Sequence, residues 1–122
     1  MQTDTIQGSG PFIKTADIEW EAPDTGITRQ VLGYDGELML VRVVFEEGAI
    51  GTEHRHPHRQ VTYVESGAFE VTIDGKTDTL RRGDSFFVEP DLLHGAVCLE
   101  AGELLDVFAP ARETFVPASD AA

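Results

Sequence analysis

Turn signals recur about every ten residues along this chain, and no stretch sustains a helical period. Gly-, Pro- and Asp-rich breaks fall at residues 23–26, 33–36, 74–75, 81–84 and 101–102. A chain interrupted that often has room only for short strands joined by hairpins. At 122 residues it forms one domain with a sizeable core. The expected fold is all-β, a barrel or jelly roll.

The segments between the breaks carry strand patterns. Residues 11–14 and 18–21 read as short strands, suited to pairing with a neighbouring subunit's sheet edge. Residues 1–10 read as a flexible arm, 11–116 as the barrel and 117–122 as a tail. Residues 28–32 form the next strand. Residues 37–46 are apolar on both faces, which suits a central strand between an interior and a covering layer. Arg42 within that strand is expected to point outward and pair with an acid. Phe69, Val71 and Ile73 alternate with Glu70, Thr72 and Asp74, giving a strand with one wet face. Residues 77–80, 85–88, 93–99 and 103–109 complete the set. Cys98 reads as a small buried hydrophobe.

Chemistry concentrates in residues 51–67. In an extended chain His54 and His56 point to the same side, so two imidazoles can share one ion. Pro57 ends the ladder for want of an N–H. The following strand, residues 60–65, returns Gln60 to the interior, and His94 arrives from a second turn-and-strand unit. Three imidazoles and one amide oxygen make a metal site with positions left open. Zn, Ni, Fe, Mn and Co all suit such a set. His58 shares the parity of the ligands, but the chain bends there, and it is expected at the rim. Tyr63 is expected to serve packing.

The chain holds 22 Asp and Glu against 9 Lys and Arg, a net charge of −13. That balance argues against nucleic acid and anionic membranes as partners. No apolar run is long enough to span a bilayer, and residues 1–10 lack the pattern of a signal peptide. With a single cysteine there is no internal disulfide framework, and cytoplasmic residence is the expectation. The acid-rich, lysine-poor composition suits a high-salt cytoplasm and an ordinary acidic protein alike.

The same residues resemble the cupin superfamily, whose two motifs bracket a metal site in a small β-barrel. Gly48, His54, His56 and Gly67 match the first motif, with Gln60 where a Glu is usual. Gly83-Asp84 and His94 match the second. That motif departs at Glu89 and Asp91, where Pro and Gly are usual, and at Cys98, where Asn is common. The resemblance implies a cupin-type double-stranded β-helix, a jelly-roll barrel. It narrows to small single-domain cupins of pectin and alginate breakdown that open the ring of 4,5-unsaturated uronates. Those carry His-x-His-Pro-His-x-Gln, as at His54 to Gln60, and Asp-x-Phe-x-Pro with a following Arg, as at Asp106, Phe108, Pro110 and Arg112.

The resemblance implies metal ligation by His54, His56, Gln60 and His94, and catalysis by Asp106, Phe108 and Arg112. A neutral Gln ligand leaves the ion's charge undamped. Asp106 would move the proton, Phe108 would wall the sugar ring, and Arg112 would hold the uronate carboxylate. The implied substrate is a sugar acid, and the implied assembly is a homodimer. Two rival readings use the same ligands: an iron dioxygenase or small-acid lyase, and a non-catalytic metal- or sugar-binding cupin.

Overall fold

Strict alternation builds the interior. In the strand Met39–Phe45, residues Met39, Val41, Val43 and Phe45 are buried while Leu40, Arg42 and Val44 lie on the outer face. The computed structural model describes residues 6–117. Its strands are β1 (Glu21–Asp24), β2 (Ile27–Tyr34), β3 (Met39–Phe45), β4 (Ile50–His54), β5 (Arg59–Ile73), β6 (Lys76–Arg81), β7 (Ser85–Val88) and β8 (His94–Ala109). They form one eight-stranded antiparallel sheet, ordered β1-β2-β3-β8-β5-β6, with β4 added to β8 and β7 to β5.

Two long strands fold this sheet onto itself. The first half of β5 pairs with the end of β8 and with β7, while its second half pairs with the start of β8 and with β6. The register shifts around Ser66–Phe69 mark where both strands bend from one layer into the other. Glycine makes the bend possible. Gly67 has φ +83°, and a Cβ there would sit 2.5 Å from the Glu100 carbonyl oxygen. A Cβ on Gly102 would strike the Ser66 carbonyl. Residues 65–67 and 101–102, expected to end strands, are therefore bends inside them. The result is the expected jelly roll.

Phe45, Val64, Phe69 and Cys98 pack beside the bend, within the apolar core. Val64 and Phe69 have no exposed surface, and burial of such side chains stabilises the fold by about 1.5–3 kcal/mol each. Cys98 is buried as expected. The end of the barrel away from the bend holds buried polar side chains instead: Gln60, Thr62, His56 and His94.

The amino-terminal region departs from expectation. Residues 11–14 and 18–21 do not form strands; Thr15–Asp17 is a 3-10 turn, and β1 begins at Glu21. The cause is Gln30, whose buried amide donates to the carbonyls of Thr15 and Ile18, both at 3.0 Å. Pro23 and Asp24, expected in a turn, lie in β1, and Gly33 and Tyr34 lie in β2. Within the expected arm, the Ser9 N–H donates to the Tyr34 carbonyl at 2.9 Å. Residues 1–5 and 118–122 of the expected arm and tail lie outside the described residues. Arg42 pairs outward with Glu103 at 3.1 Å, as expected.

Candidate metal centre and active site

Register brings the histidines together. His54, the last residue of β4, stands directly opposite His94, the first residue of β8, and their rings lie 4.6 Å apart. His56 follows in an irregular loop rather than on an extended strand, because the ladder stops at His54. That loop is pinned where the Asp91 N–H donates to the His56 carbonyl at 2.8 Å. Asp91 has φ +69°, so it adopts the left-handed backbone that a glycine would fill there. The departure from the second motif is thereby absorbed in the turn.

Each ring is aimed by its own backbone neighbourhood. The Nδ1 atoms of His54, His56 and His94 lie 3.0, 3.1 and 2.9 Å from the carbonyl oxygens of Thr52, His58 and Leu92. A carbonyl only accepts, so Nδ1 carries the proton and Nε2 keeps its lone pair. Ligand atoms of the three residues lie within 4.8 Å of one another. Burial, then the charges of Arg112 and His94, push His56 down to about 4, so its ring is neutral at neutral pH.

These residues fit a divalent ion. The buried Nε2 of His94 has no hydrogen-bond partner among the described residues. The His56 Nε2 faces the Gln60 Oε1 at 3.1 Å, two acceptors turned toward each other. Gln60 cannot turn away cheaply, since its Nε2 donates to the Thr62 hydroxyl at 2.9 Å. Two lone pairs at that separation are repulsive until a cation lies near both.

Beside this cluster lies a cavity of about 390 Å³, lined by His54, Gln60 and His94 and also by Asp106, Phe108 and Arg112. Asp106 stands opposite Thr62 in the β5–β8 register, and the Thr62 hydroxyl donates to its Oδ1 at 2.6 Å. Desolvation pushes the Asp106 carboxyl up to about 6, against the lowering effects of Thr62 and Arg112. Phe108 is buried, its ring 5.7 Å from that of His56. The Arg112 guanidinium lies 4.3 Å from the Phe115 ring centroid and makes no ion pair among the described residues. Burial and the nearby Arg29 pull its pKa down.

His58 differs from expectation. It is buried rather than at the rim, and its Nε2 bonds the Glu113 carboxylate at 2.9 Å. The reading of the sequence also passed over Thr62, Phe115 and Arg29. Arg29 was legible by parity, since it alternates with Ile27 and Val31, both buried.

The Cupin domain family matches residues 41–108. This chain belongs to the cupin family. The cupin is 42% identical over 99 residues to the pectin degradation protein KdgF of Dickeya dadantii, across 80% of this chain and 90% of that protein. Among solved structures it is similar to an RmlC-like cupin from Shewanella frigidimarina, with TM-score 0.87 and 48% identity over 90% of this chain and 99% of that one. It is also similar to KdgF from a Halomonas species, with TM-score 0.81 and 39% identity over 87% of this chain and 98% of that one.

Proposed function

We propose that this cupin opens the ring of 4,5-unsaturated uronate monosaccharides, giving the linear keto acid in the breakdown of uronate polysaccharides. Likeness to the two KdgF proteins supports the substrate class. The observation that carries the chemistry is the position of Asp106, an acid with a raised pKa in the cavity that adjoins the histidines.

The reaction is an isomerisation and needs no co-reactant. The bond between the anomeric carbon and the ring oxygen breaks as the anomeric hydroxyl loses its proton and becomes the aldehyde. The enolate left at C5 gains that proton at C4 and becomes the ketone. Asp106 carries the proton between these positions, with Thr62 holding Oδ1. Arg112 holds the carboxylate through its guanidinium fork. Phe108 forms the wall against the sugar ring.

His54, His56 and His94 through Nε2, with Gln60 through Oε1, would hold a divalent ion of the Zn, Ni, Fe, Mn or Co group. Such an ion supplies Lewis-acid charge that orients the sugar oxygens. Desolvation also lowers the pKa of His94, favouring its neutral, ligating form.

The assembly we propose is a homodimer. Val61, Tyr63 and Phe87 are exposed together on the outer face of β5 and β7, where Val61 pairs with Phe87. A monosaccharide substrate and a lone buried Cys98 suit cytoplasmic residence. Among the described residues, no helix is long and apolar enough to cross a membrane.

The test is loss of alkene ultraviolet absorbance from freshly made 4,5-unsaturated galacturonate, measured against the spontaneous rate. Purified protein should accelerate it, and both chelation and Asp106→Ala should remove about 100-fold or more of the acceleration. A rate equal to the spontaneous one would defeat this reading.

A further inference from the structure

The cavity contains a second guanidinium that the ring-opening scheme does not use. Arg29 lies on β2 between Ile27 and Val31, whose side chains are in the core, so its own side chain is turned toward the interior. It lines the same cavity as Arg112 and Asp106. Its guanidinium carbon is 3.8 Å from the Phe115 ring centroid, and that of Arg112 is 4.3 Å from the same centroid. One aromatic ring thus serves two cations.

The hydrogen bonding of Arg29 sets its orientation. Its Nε donates to the Glu21 carboxylate at 2.8 Å, across the β1–β2 register pair of the two residues. That bond occupies one edge of the guanidinium. The two terminal nitrogens make no hydrogen bond among the described residues. A merely stabilising ion pair would not need this placement, because an exposed carboxylate such as Glu21 returns little energy. Two partly buried guanidiniums lining one cavity repel each other, and an anion bound in that cavity relieves the repulsion. In a chain of net charge −13, two guanidiniums sharing one cavity with Asp24 and Asp106 are a local concentration of positive charge.

We infer that Arg29 is a second substrate-binding residue, which grips the uronate carboxylate jointly with Arg112 while Glu21 fixes its orientation. The inference rests on the ring-opening reading for the identity of the anion. It adds the origin of carboxylate selectivity. A carboxylate has lone pairs for two forks, and two guanidiniums discriminate against a neutral sugar more strongly than one.

The experiment pairs steady-state kinetics with equilibrium binding. Arg29→Gln, Arg29→Lys and Glu21→Gln are compared with the native chain on 4,5-unsaturated galacturonate. Calorimetry then follows binding of galacturonate, a saturated monoanion, and of galactose, its neutral counterpart. Arg29→Gln should raise KM about tenfold with kcat within roughly threefold, and weaken galacturonate by the same factor. Galactose binding should not change. Arg29→Lys, which keeps the charge without the fork, should recover part of the loss, and Glu21→Gln should raise KM by a smaller factor. These two variants carry the test if Arg29→Gln fails to fold.

Native turnover with unchanged KM and galacturonate binding in the Arg29 variants would overturn the inference and leave the enzyme standing. Arg29-dependent galacturonate binding without native turnover would keep the anion grip and remove the ring-opening reading. No turnover and no galacturonate binding by the native chain would overturn both.

Discussion

At the scale of the residue, Asp106 sets the expected pH behaviour. Desolvation raises its carboxyl to about 6, so the fraction ionised, and the rate that depends on it, climbs as pH rises through that value. The Thr62 hydroxyl stabilises the ionised form by donating to Oδ1. Thr62→Val removes that bond, favours the protonated acid, and should move the ascending limb of the kcat profile to higher pH. A pH–rate profile with the limb unmoved would detach Asp106 from the step. Asp106 was legible in the sequence because an acid flanked by Leu104, Leu105 and Val107 stands out. His54, His56 and His94 were legible from their spacing and motif. Thr62 was not, since a threonine in a strand carries no signal until its cross-strand partner is known. His58 was misplaced for a similar reason: its partner Glu113 lies far along the chain, and only the fold brings the two to 2.9 Å.

At the scale of the element, the jelly roll depends on β5 and β8 remaining continuous through their bends. Gly67 combines a left-handed backbone with close approach to the Glu100 and Ala101 carbonyl oxygens, both fixed main-chain atoms. Gly67→Ala should therefore lower stability by about 2–4 kcal/mol in urea titration, with both strain and overlap contributing. Gly48 also has a positive φ, but nothing lies within 4 Å of a Cβ built there. Gly48→Ala should cost less, which separates backbone strain from collision. Residues 65–67 and 101–102 are legible in the sequence as strand ends, and in the fold they are bends within β5 and β8. Glycine signals a turn and a strand bend alike, and what decides between them is the distant strand packed alongside. The amino-terminal strands failed for a related reason. Their local pattern was extended, but the Gln30 amide takes the Thr15 and Ile18 carbonyls that a ladder would have used.

At the scale of the whole molecule, Val61, Tyr63 and Phe87 are exposed, and the proposed homodimer is built on that face. Light scattering should give a dimer, and Phe87→Glu should give a monomer that retains its fold. A native monomer at working concentration would remove the dimer. Fold class was the most legible property, because alternation and turn spacing are written along the chain. The proposed association face was the least legible feature, since its members come from different strands. The overall charge has a consequence of its own. The surface of this protein is predominantly anionic, while the cavity lining sets two guanidiniums, Arg29 and Arg112, beside the carboxyls of Asp24 and Asp106. A small monoanion is slowed during its approach and retained after entry. Added salt weakens both effects, quickening arrival and shortening residence. The protein thus trades encounter frequency for dwell time, and the salinity of its surroundings sets the balance.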